Sequence, residues 1–126
     1  MAKMEERPVD SGVWEIKGLD ETAAAEWWKK RFALVASIPN DVARAGALLP
    51  QMRQLSRLLP ADRRRLTKAR MQAFLTLAAD QRQRITSAKK VAMATDPELV
   101  KSDDAITSSL VSEIPGAQEA AREMGA

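Results

Sequence analysis

The chain contains no cysteine, no histidine and no tyrosine. Without cysteine there are no disulfides, thiolate metal sites or thiol nucleophiles. Histidine is the commonest general base and metal ligand, and the one side chain that titrates unperturbed near neutrality. A catalyst built from this chain would have to run on Asp, Glu, Lys, Ser, Thr or Arg alone. We therefore expect no enzyme activity, no cofactor and no metal centre. No Gly-rich phosphate loop, dinucleotide fingerprint or calcium-loop pattern occurs. No apolar run approaches the roughly 20 residues that span a bilayer. The N-terminus is charged, without the apolar core or cleavage signature of a signal segment, so a cytoplasmic location is expected.

What remains is helix-forming material. Among 126 residues the five aromatics are Trp14, Trp27, Trp28, Phe32 and Phe74. The other apolar residues are mostly Ala, Leu, Val and Met, and strand-favouring types are sparse. The expected fold class is all-α, a compact bundle of four to five helices with an extended N-terminal arm. Its organisation is arm 1–18, bundle 19–114 and a frayed tail 115–126.

In the arm, Val13-Trp14-Glu15-Ile16 alternates like a short extended piece, with no second strand to pair with it. Trp14 and Ile16 either dock on the helices or reach a neighbouring subunit. From Asp20 onward, cap signals separate periodic segments at about 20–37, 40–59, 60–76, 79–95 and 96–113. The expected inward stripes are Ala23, Trp27, Leu34 and Ile38, widened by Trp28 and Val35, then Ala45, Leu48, Leu49, Met52, Leu55 and Leu59. Leu66, Ala69, Ala73 and Leu77 follow on the third segment, and Ile85, Ala88 and Ala92 on the fourth. The fifth carries Leu99, Ile106, Leu110 and Ile114. Pro50 falls inside the second segment, where a kink or brief break is expected. Ile38-Pro39-Asn40-Asp41, Leu59-Pro60-Ala61-Asp62 and Leu77-Ala78-Ala79-Asp80 share one punctuation. Arg65-Leu66-Thr67 and Arg84-Ile85-Thr86 prolong the last two units. Repeated helical units and merely similar helix starts both account for this.

The net charge of +3 hides a segregation. Residues 1–40 carry 6 basic and 7 acidic side chains, residues 41–95 carry 12 and 3, and residues 96–126 carry 2 and 7. The acidic end can neutralise the basic middle within one molecule, between subunits, or leave it for an acidic partner. On the third segment Arg64, Lys68, Met71 and Leu75 form a stripe opposite Leu66, Ala69 and Ala73. Another helix covers that stripe, or it is an exposed docking face.

The expected function is a small non-enzymatic protein–protein interaction module, an accessory, adaptor or regulatory subunit that self-associates. Its candidate partner-binding residues are Trp14, Arg64, Lys68, Met71, Leu75, Arg82 and Lys89. Exchanging Lys68 and Met71 together for Asp is expected to abolish association and leave helicity intact. The alternative is electrostatic, weakly specific binding of nucleic acid by the Arg- and Lys-rich middle. A third class is a small-molecule pocket lined by Trp27, Trp28 and Met52.

Overall fold

A computed structural model of the chain describes Val13 and residues 15–123, and no strand occurs among them. The fold is all-α. Its helices are α1 (Glu21–Ala36), α2 (Asp41–Ser56), α3 (Pro60–Leu75), α4 (Ala79–Thr95), α5 (Pro97–Leu110) and α6 (Ala117–Glu123), with a 3-10 turn at Val111–Glu113. Local chemistry sets most of the starts. The Asp20, Asn40 and Asp96 side chains accept hydrogen bonds from Ala23 N, Ala43 N and Leu99 N at 2.8, 2.8 and 3.3 Å. Each satisfies one of the donors that a helix start leaves free. Pro60 and Pro97 occupy first-turn positions, where a missing N–H costs nothing. Asp41 and Asp62 do not cap. They sit in the first turn, paired with Arg44 and Arg65 three residues on, at 2.8 and 2.9 Å.

Helices alternate in their packing. The most extensive interfaces join α1 to α3 and α2 to α4, while α5 lies across α2, α3 and α4, and α6 lies on α3. Contacts along α1 and α3 ascend together. Arg65 donates to Leu19 O, Glu21 meets Lys68 and Gln72, and Phe32 meets Phe74 edge-on at 6.1 Å, so the two helices run in the same general direction. The repeated Arg-Leu-Thr and Arg-Ile-Thr triplets have comparable roles. Leu66 and Ile85 are buried, Arg65 holds carbonyls just before α1, and Arg84 donates to Ala36 O at its end, 3.1 Å away.

The core has a main cluster around Trp28, Phe32, Phe74, Leu66 and Ile85, and a smaller one of Ala45, Leu49, Met52, Ala92 and Val100. The α1 stripe is displaced by one residue from the expected phase. Ala24, Trp28, Phe32, Val35 and Ala36 are buried, whereas Leu34 is 62% exposed. Trp27 lies at the margin with the Arg31 guanidinium 4.6 Å over its ring. On α2 the expected residues are inside, except that Leu59 lies beyond the helix and is exposed.

Val13 and Glu15 are helical rather than extended. With no strand to pair with, a helical turn satisfies the backbone locally, as in Ile16 N donating to Val13 O at 3.2 Å. The three-residue spacing then puts Val13 and Ile16 on one side, and both are buried. Val13 N also donates to the buried Gln54 Oε1 at 3.1 Å. Trp14 lies outside the described residues. At the other end, Gly116 (φ 80°) turns the chain through a left-handed conformation that a Cβ would strain. Beyond it α6 is seated on the core through the fully buried Ala117, in place of the expected fraying through residue 123.

Helix α2 is continuous through Pro50, without the expected break. The proline ring crowds the carbonyl four residues earlier, at the exposed Gly46, where a Cβ would meet nothing within 4 Å. Gly46→Ala should therefore stabilise the protein by about 0.5–1 kcal/mol through helix propensity alone. Thermal melts should show a midpoint rise of about 2–5 °C.

Candidate partner-binding surface and the buried polar network

The basic middle meets the acidic end inside the chain. Arg64 is ion-paired with Glu113, and Lys68 Nζ lies 3.7 Å from both Glu113 and Glu21. Beneath them Met71 is 3% exposed and Leu75 is half-buried against the main cluster. The stripe therefore exists, but α1, the 3-10 turn and α6 cover its apolar part. On α4, Arg82 donates to Leu77 O at 2.7 Å, and Lys89 points inward, 4% exposed and 2.5 Å from Asp104. Arg64 and Lys68 converge on Glu113, while Arg82 and Lys89 belong to other surroundings.

Deeper still, the Arg70 guanidinium grips Asp103 with two hydrogen bonds, at 3.1 and 2.9 Å, and donates to Thr107 Oγ1 at 3.2 Å. All three residues are buried. Thr107 in turn donates to Asp103 O at 3.0 Å, and the guanidinium stands 5.9 Å from the Trp28 ring centre. Such a pair is planar, two-pronged and charge-assisted, which fixes the angle at which α5 sits on α3. The inward face of α5 is Val100, Asp103, Thr107 and Leu110, polar at its middle. With Asp103 and Thr107 at its centre, that face carries no apolar period. The available signal was Arg70 itself, adjacent to Ala69 and three residues before Ala73 on the inward side of α3.

The surface has its own features. Leu59, at the corner between α2 and α3, is 72% exposed. It takes the N-cap position of α3 without any side-chain hydrogen bond. Beside it a cleft of about 350 Å³ is lined by Leu58, Pro60, Ile106 and Ser109 and edged by Arg63 and Arg64. Arg63 also donates to Ser102 at 3.1 Å. Arg53 and Arg57, on the preceding turns, are exposed. At the α1–α2 corner, Leu34 and Val42 are exposed as well.

Of the pocket expected from Trp27, Trp28 and Met52, only Met52 lines a small cavity between the helices, of about 20 Å³. That is far below the roughly 300 Å³ of a small-molecule site. Among the described residues no cluster of carboxylates could hold a metal ion, and no helix is long and apolar enough to cross a membrane.

No family model, curated protein or solved structure matches this chain.

Proposed function

We propose that the chain is a non-enzymatic, cytoplasmic protein–protein interaction module that self-associates through the α2–α3 corner. The observation that carries this reading is Leu59. Asp20, Asn40 and Asp96 cap their helices and α4 begins on the small Ala78, whereas α3 begins on a large apolar residue that is exposed and cannot cap. Leucine is among the poorest N-cap residues and costs about 1 kcal/mol against Asp or Ser. Folding does not reward it there. Docking does, since an exposed leucine beside an apolar cleft is the kind of anchor that protein interfaces bury at their centre. The arginines around it suit a partner face that bears carboxylates. A second copy supplies one, because Glu98 and Glu119 are exposed.

Nucleic-acid binding has less support. Arg44, Arg64, Arg65, Lys68, Arg70 and Lys89 each meet a carboxylate within the chain. Phosphates would have to displace those partners.

The test is sedimentation of wild type and Leu59→Asp at low and high salt. Wild type should run heavier than its 13.9 kDa monomer at low salt and lighten as salt is added. Leu59→Asp should be monomeric throughout and, having gained a cap, more stable by about 0.5–1 kcal/mol. A wild type that is monomeric in both salts, or a variant that associates undiminished, removes the reading.

A further inference from the structure

Helices α1, α2, α3 and α4 meet around a small cavity of about 20 Å³. Phe32, Leu48, Met52 and Ile85 form its apolar wall, and Gln51, Arg70 and Lys89 form its polar one. None of these seven residues is more than 6% exposed. The Gln51 side chain lines this space and is 4% exposed. An amide in that position is costly unless a hydrogen-bond partner meets it. Asp103 and Asp104 are not part of the wall, so the charged groups facing the cavity are both donors.

The guest must be small and must accept hydrogen bonds. About 10–15 Å³ of such space holds one water, and buried waters typically make about three hydrogen bonds. Three polar groups face this cavity. An anion fits the donors but not the charge balance. Arg70 is already neutralised by Asp103, and Lys89 by Asp104 at 2.5 Å, so an anion would enter as an uncompensated charge. We propose that the cavity is a binding site for a single ordered water. It accepts from the Arg70 guanidinium, donates to Gln51 Oε1 and has the Lys89 ammonium as its third neighbour. The water thereby joins the apolar crossing of α2 to the Arg70–Asp103–Thr107 network on α3 and α5.

The test is water–protein cross-relaxation by NMR on the intact chain, with and without bromide, together with a crystal structure grown in bromide. The expected result is a cross-peak of a water that outlives molecular tumbling, at the Gln51 side-chain amide and the Arg70 Nε–H, unchanged by bromide. Gln51→Leu should lose the peak at Arg70. The wild-type spectrum decides even where that variant fails to fold. Absence of the cross-peak in wild type overturns the site, as does anomalous bromide density in the cavity.

Discussion

Arg70→Met should destabilise the protein by about 3–5 kcal/mol, read as a lowered midpoint in urea denaturation. The loss comes less from the missing attraction than from what is left behind. Asp103, 4% exposed, would lose both guanidinium hydrogen bonds and retain a charge in a buried site. Thr107 Oγ1 would lose its donor as well. Exchanging both partners for apolar residues of similar volume, Arg70→Met with Asp103→Leu, should recover most of the loss, since no charge then remains buried. A double variant as unstable as the single one would mean that the pair contributes through geometry that methionine and leucine cannot reproduce.

Met71→Asp should unfold most of the chain, with loss of helical circular dichroism at 25 °C. Met71 is 3% exposed and belongs to the main cluster, so the change would place an unpaired carboxylate among packed apolar side chains. A cost of several kcal/mol is comparable to the whole stability of a domain this size. This differs from the expectation for the Lys68 and Met71 exchange drawn from sequence, in which helicity survives. The two residues share a helix face but not an environment. Lys68 reaches outward to Glu21 and Glu113, while Met71 lies beneath the segments that carry Glu113 and α6. Lys68→Asp alone should keep the fold and lose only those exposed pairs, a change of about 1 kcal/mol or less.

Helix existence was legible because cap chemistry is local. Asp20, Asn40, Asp96, Pro60 and Pro97 mark starts that the structure uses. Stripe phase was less legible wherever two large apolar residues are adjacent. Trp27-Trp28 and Leu34-Val35 support two phases one residue apart on α1, and the tertiary packing, Phe32 on Phe74 included, decides for Trp28, Phe32 and Val35. On α5 Leu110 was legible as inward, but Leu99 and Ile106 are only half-buried and Asp103 and Thr107 were passed over, because these two become core residues only when Arg70 is opposite them. Of the surface, the segregation of charge could be read from residue counts. Which cations face Glu113, Asp103 and Asp104, and which stay on the α2–α3 corner, depends on tertiary placement. Leu59 was read as core because it continues the α2 period, yet the helix ends at Ser56.

The alternating arrangement, α1 on α3 and α2 on α4, bears on how the chain reaches its native state. In an up-and-down bundle each new helix closes on its predecessor, so hairpins can form one at a time. Here a segment must wait for the helix after next, and every main interface encloses a loop as long as a helix, with the closure entropy that entails. The consecutive pairs α1–α2 and α2–α3 share much smaller interfaces than α1–α3 and α2–α4. The bundle should therefore behave as one cooperative unit, with partial unfolding confined to its ends.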